Sequence, residues 1–193
     1  DYHIQNWNSP NYSAPAEILD WPGNGNSNTV QNLAPYADLD NDNIYEPNDG
    51  EYPIIKGDQA VYLIANDYRP NDSIINPNET IYTKSAKVEM HMMLYAFNHS
   101  TEAIANTVFV NVKLYNRSNS SADDHNDFKI SVYADFDIGY PVDDYVSTDT
   151  TKNIFYAYNG DNLDENYFGN NGYGVKLATQ AVQFLNYDIR HSL

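Results

Sequence analysis

The chain has 193 residues, no cysteine, and 27 acidic against 10 basic side chains, a formal net charge of −17. That balance excludes a phosphate-backbone partner, which such a surface would repel, and an anionic membrane surface. No apolar run approaches the roughly 20 residues needed to cross a bilayer as a helix, the longest being Met92 to Phe97.

Residues 1–30 read as an extended, turn-rich arm, with Asn8-Ser9-Pro10, Ala14-Pro15 and Trp21-Pro22-Gly23-Asn24-Gly25-Asn26 as breakers. Trp7, Ile18, Leu19 and Trp21 are costly to leave in water. The arm is therefore expected to pack on the body or on a neighbour. The chain opens on Asp1 without a leader pattern, the expectation for a processed chain or an excerpt of a longer protein.

Residues 31–55 carry the most informative stretch, Asp38-Leu39-Asp40-Asn41-Asp42-Asn43-Ile44-Tyr45-Glu46-Pro47-Asn48-Asp49. Counting Asp38 as the first position, oxygen-bearing side chains fall at the first (Asp38), third (Asp40), fifth (Asp42), ninth (Glu46) and twelfth (Asp49) places. Ile44 stands at the seventh, where a calcium loop uses a backbone carbonyl and leaves the side chain free for the core. Asn43 takes the place of the usual turn glycine and is tolerant of a left-handed backbone. Gly50 and Pro53 rule against an exiting helix, so the loop is similar to those of dockerins and thrombospondin type 3 repeats rather than to a helix–loop–helix pair. A solvated Asp/Asn turn is the plain alternative. No Lys or Arg precedes Lys56, so a cation is the natural counterweight to these acids.

Residues 56–193 read as one antiparallel β-sandwich, Ig-like or jelly-roll-like, in an all-β chain. Candidate strands are Gln59 to Ala65, Val88 to Phe97, Thr107 to Tyr115, Lys129 to Phe136, Asn153 to Tyr158, Val175 to Ala178 and Ala181 to Tyr187. No stretch keeps a helical period for three turns. Asn71-Asp72-Ser73 reads as a polar loop.

A second acidic group comprises Asp135, Asp137, Asp143, Asp144 and Asp149, with Asn159-Gly160-Asp161 and Asp164-Glu165 downstream. Carboxylates this dense repel unless paired or bound to a cation, so a second Ca2+ site and a solvated acidic loop both stand open. Asp135 or Asp137 with Glu89 would also suit a glycosidase pair, but nothing in the sequence makes them converge. There is no Gly-x-Ser-x-Gly elbow, no phosphate-binding glycine loop and no zinc-ligand spacing among the five histidines. His91 sits mid-strand and reads as a cross-strand packing residue. The chain is accordingly read as a non-enzyme.

Several stretches resemble a recurrent region of surface and secreted proteins of Bacteroidetes that use type IX secretion. They are Trp21-Pro22-Gly23-Asn24-Gly25, Leu33 to Asp40, Gly50 to Ala60, Asp143-Asp144-Tyr145-Val146 and Tyr158-Asn159-Gly160-Asp161. Ser147-Thr148 stands where that family has a Gly-Cys pair. The resemblance implies an extracellular, calcium-bearing module with metal roles for Asp38, Asp40, Asp42 and Asp49, and more weakly for the 135–149 group. It also brings O-glycan acceptor patterns to mind at Asp72-Ser73-Ile74 and Asp149-Thr150-Thr151, beside Asn-x-Ser/Thr triplets at Asn11, Asn71, Asn78, Asn98, Asn116 and Asn119. The expected function is a calcium-stabilised structural or adhesive module, a fibre or surface-layer subunit whose partners are neighbouring domains or subunits. A carbohydrate-binding module built on the 18 tyrosines is the alternative, and a glycan-active enzyme ranks behind both.

Overall fold

The computed structural model describes residues 2–25, 33–67, 73–76, 79–82, 85–118 and 125–189. Residues 26–32, Asn71, Asp72, Asn78, the Asn119 triplet and His191 lie outside the described residues. The chain divides into two compact units, Asp1–Asn126 and Asp127–Leu193. That boundary falls inside the 56–193 stretch read above as a single sandwich.

The protein is mostly β-sheet, and every described pair of strands is antiparallel. In the first unit two short helices, α1 (Tyr2–Asn6) and α2 (Ala16–Leu19), interrupt the arm expected to be extended. They are single turns between breakers, too short for an apolar periodicity to show in sequence. A two-residue ladder follows, β1 (Tyr36–Ala37) on β2 (Tyr52–Pro53), with Tyr36 opposite Pro53 and Ala37 opposite Tyr52. The main sheet has the order β3 (Gln59–Asn66), β6 (Val88–Ala96), β7 (Phe109–Asn116), and a separate hairpin joins β4 (Ser73–Asn76) to β5 (Glu79–Tyr82). A turn of helix, α3 (Glu102–Ala105), links β6 to β7.

Alternation along β3, β6 and β7 gives the main sheet two unlike faces. One carries Tyr62, His91, Met93, Tyr95 and Phe109, with Tyr95 stacked on Phe109 at 5.4 Å between ring centroids. The N-terminal segment lies against this face: the Trp21 and Tyr62 rings are 5.5 Å apart, and the Tyr62 hydroxyl donates to the Leu33 carbonyl at 3.0 Å. The register sets Val61, Leu94 and Val110 in one row of the opposite face and Leu63, Met92 and Val112 in the next. Val61, Leu63, Val110 and Val112 are all exposed.

The second unit has the sheet order β10 (Thr179–Gln183), β9 (Ile154–Asn159), β8 (Asp144–Asp149). Its buried residues are Ile138, Ala157, Asn159 and Asp164. Two expected strands are not formed. Lys129 to Phe136 has the right alternation but makes no ladder, and Val175 to Ala178 lies in turn and irregular structure. Conversely β8 runs through Asp144–Asp149, a stretch read as an acidic loop; its Tyr145-Val146-Ser147-Thr148 centre is strand-forming once paired with β9.

Candidate metal centre

The loop 38–51 is the excursion that joins β1 to β2, so both its ends are pinned by one ladder. Three aspartates at alternate positions turn inward and organise the loop through its own amides. Asp38 Oδ1 accepts from the amides of Asn41 at 2.7 Å and Asp42 at 3.2 Å, and Oδ2 accepts from Asn43 at 3.0 Å. Asp40 Oδ1 accepts from the Asp42 amide at 3.2 Å, and Asp42 Oδ1 from Ile44 at 2.7 Å. Asn41 and Asn43 both adopt φ 65, the left-handed conformation that asparagine tolerates best among non-glycine residues. The result brings one carboxylate oxygen each of Asp38, Asp40 and Asp42 within 4.8 Å of one another.

The remaining expected ligands are placed less closely. Glu46 lies in the field of the cluster: desolvation, then the charges of Asp42, Asp49 and Asp40, hold its carboxyl above the usual range. Asp49 ends a 3-10 turn over Pro47–Asp49 and is exposed. Neither joins the 4.8 Å group. The Ile44 side chain is 48% exposed rather than in the core. Its neighbour Tyr45 takes the core position at 3% exposure: the hydroxyl donates to the Ile18 carbonyl at 2.8 Å, and the backbone exchanges 2.7 Å bonds with the Asn24 amide. Tyr45 can do this because the ring, unlike an aliphatic side chain, carries a donor out to the helix-end carbonyl of Ile18, which also accepts from the Trp21 amide at 3.3 Å. Burial pushes its hydroxyl pKa up.

Glu51, which the loop numbering passes over, is what closes the loop. It is 3% exposed, and its Oε1 accepts from the Leu39 amide and its Oε2 from the Glu46 amide, each at 2.8 Å. The carboxylate thus ties the entry of the loop to its exit. Gly50, at φ 101, makes the turn that sends Glu51 inward, and the Trp7 ring packs where a Cβ would stand, 2.7 Å away. The Glu51 carbonyl bonds the His3 ring at 3.0 Å, and His3 in turn reaches the Tyr12 hydroxyl at 3.0 Å. A buried glutamate beyond the twelfth position has no sequence signature, but a Gly-Glu pair before a strand at an otherwise acidic turn is the available cue.

In the second unit the five expected aspartates separate. Asp149 stands at the far end of β8 from Asp144, five residue steps or about 17 Å away. Its Oδ1 accepts from the Thr151 hydroxyl at 2.6 Å and the Thr151 amide at 3.0 Å, contacts that hold its pKa down. Asp135 and Asp137 are exposed. Asp143 and Asp144 lie at the other end of the sheet, where Asp143 Oδ1 and both carboxylate oxygens of Asp144 are buried without a hydrogen-bond partner. Desolvation first, then the charges of Asp143 and Asp164, raise the Asp144 pKa; the Ile138 amide opposes this. Asp164, 2% exposed, accepts from the Tyr140 amide at 2.6 Å and the Tyr173 amide at 2.7 Å. Three carboxylates of this unit do not come within 4.8 Å of one another.

Glu89, the other acid of the hypothetical glycosidase pair, belongs to the first unit and is engaged there. Its Oε1 accepts from Arg117 and from His91 Nε2 at 2.8 Å, while His91 Nδ1 meets the Tyr62 hydroxyl at 2.9 Å. The His91 ring is 4% exposed, 4.6 Å from the Tyr115 ring, and acts as the cross-strand packing residue expected of it. A cleft of about 130 Å3 bounded by His3, Trp7, Tyr12, Leu19 and Pro47 is below the roughly 300–1,000 Å3 of small-molecule sites.

No protein-family model, curated protein or solved structure matches this chain. Its chemistry has to be argued from its own residues. The Asp38, Asp40, Asp42 group could hold a metal ion. The donors are all oxygen, the set that suits hard cations and not zinc or copper. No helix among the described residues is long and apolar enough to cross a membrane.

Proposed function

We propose that the chain is an extracellular, calcium-stabilised structural or adhesive module of a bacterial surface or secreted protein. The observation that carries the calcium part is the convergence of Asp38, Asp40 and Asp42 in a loop whose backbone is already fixed by Glu51. Three carboxylates held this close repel one another, and among the described residues no lysine or arginine is paired with them. A divalent cation with main-chain and water oxygens completing its shell removes that penalty. The structural part rests on the main sheet, whose exposed apolar face of Val61, Leu63, Val110 and Val112 suits one layer of a β-sandwich, and on the high negative charge, which suits a secreted surface. Type IX export rests on the sequence resemblance alone.

The test is a thermal melt followed by tryptophan emission, with and without EGTA. Trp7 and Trp21 are the chain's two tryptophans, so the signal reports the first unit alone. At a hundredfold excess of calcium over its dissociation constant the stabilisation is about 2.7 kcal/mol, and it is expected to vanish in the triple variant Asp38→Asn, Asp40→Asn, Asp42→Asn. An identical melt in calcium and EGTA, with no heat on titration, would refute the reading.

A second reading, carbohydrate binding, is favoured by one observation. Tyr145, Tyr156 and Tyr158 share a face of the β8–β9 ladder, with centroids 6.1 Å apart for Tyr145–Tyr158 and 5.8 Å for Tyr156–Tyr158. Tyr145 and Tyr158 are exposed, at 59% and 38%. Exposed rings in a row can stack on sugar faces. Sugar-array binding abolished by Tyr158→Ala would support it, and an array with no signal for the parent chain would end it.

A further inference from the structure

We propose a second calcium site in the second unit, built across the β8–β9 ladder from the side chains of Asp144 and Asn159. These two residues are directly opposite in the antiparallel register, so their side chains leave the sheet on the same face. Asn159 is 6% exposed. Its Nδ2 donates to the carbonyls of Leu163 at 3.2 Å and Asp161 at 3.3 Å. Those two acceptors fix the amide's orientation, because the flipped amide would set oxygen against oxygen. The Asn159 oxygen is thereby left as an acceptor with no donor, on the same face of the ladder as Asp144, whose two oxygens are equally orphaned, as is Asp143 Oδ1 at the strand's entry.

Four buried acceptor oxygens with no donor are not a stable arrangement in a dry site. Among the described residues no basic side chain is paired with them: the described ion pairs of this unit, Lys129 with Asp127 and Lys152 with Asp149, lie elsewhere. What the site lacks is a cation. Because three carboxylates do not converge here, the shell must mix carboxylate, amide and water oxygens. Calcium accepts six to eight oxygens in flexible geometry, whereas magnesium demands a near-ideal octahedron and holds its water. Asp137, Asp135 and Asp149 are outside this set, which is how it differs from a cluster defined by sequence proximity.

Isothermal titration of the full chain with calcium tests the site independently of the loop. The wild-type chain is expected to bind two ions, the Asp38→Asn, Asp40→Asn, Asp42→Asn chain one, and that chain with Asp144→Asn added none, or one weakened by more than about tenfold. A loop that fails to bind leaves this expectation intact, since the triple variant would still bind one ion. Calorimetric melts of Asp144→Asn alone separate a metal ligand from a structural residue. In EGTA the new amide can donate to Asn159 Oδ1, so the transition not seen by tryptophan should rise above wild type. In calcium it should fall below. A triple variant that binds no calcium, a quadruple variant that binds as the triple does, or an Asp144→Asn melt lowered equally in both conditions would each overturn the proposal.

Discussion

Replacing Glu51 by alanine should unfold the first unit more readily than any change in the three converging aspartates. The side chain is 3% exposed, and both its oxygens are committed to backbone amides at 2.8 Å. Alanine leaves the Leu39 and Glu46 amides without their acceptor, at about 1–3 kcal/mol each, and opens a cavity where the side chain stood. Part of this is returned, since Glu51 also adds negative charge beside Tyr36 and Glu46. A net loss of about 3–4 kcal/mol follows, roughly a third of the 5–15 kcal/mol that a domain commands. At about 3 °C per kcal/mol for a unit of this size, the tryptophan-monitored midpoint should drop by about 10 °C. Glu51→Gln should cost about half as much, since one amide keeps an acceptor and the other meets a donor. The measurement is made in EGTA, so that an ion cannot mask the loss. An alanine variant melting within about 2 °C of wild type would refute the clamp and leave the loop's shape to the aspartates alone.

Two more outcomes follow from local geometry. Gly50→Ala should destabilise the first unit by about 2 kcal/mol or more and shift tryptophan emission, because φ 101 is strained for alanine and its Cβ would stand 2.7 Å from Trp7; an unchanged melt and emission would refute it. The first unit should also lose stability in acid. Burial alone would raise Glu89, but Arg117 and His91 outweigh it and hold its pKa below 4.5; burial likewise opposes, and the Ala86 and Val88 amides and the Ser85 hydroxyl overcome, at Asp67, which falls below 3.8. A carboxylate depressed in the folded state contributes fully above its unfolded value and loses that contribution as pH falls through the folded one. Urea stability should therefore decline below about pH 4.5, and Glu89→Gln should flatten that decline; an unchanged acid limb would refute the assignment.

The pattern of what was legible has physical reasons. Strands β3, β6, β7 and β9 are legible, within two residues at each end, from their runs of β-branched, aliphatic and aromatic residues bounded by polar turns. Lys129 to Phe136 has the same alternation and forms no ladder. Alternation states only that a segment could pair, and a strand also needs a partner edge. In the loop, the aspartate spacing points to three carboxylates that do converge, since their contacts are local, within five residues. Glu51 and Tyr45 were missed because their partners, Leu39 and Ile18, are set by the fold rather than by the motif. Glutamate is also among the residues least often buried, so the composition argues against the role it plays. In sequence Asn159 stands only as a turn residue that adds an oxygen downstream of the second acidic group; its pairing with Asp144 emerges from the register, which no spacing rule contains.

The bond between the His3 ring and the Glu51 carbonyl spans 48 positions of the chain. The acidic loop is therefore not an autonomous cassette. A peptide cut to residues 36–53 would keep every aspartate and lose His3, Trp7, Ile18 and Asn24, the contacts that hold its backbone ready. An ion bound there has to be shared in its energetics with the first residues of the protein. By reciprocity, calcium would favour the docked N-terminus over the undocked one by the same factor that undocking weakens calcium. The loop would then report whether the beginning of the chain is in place.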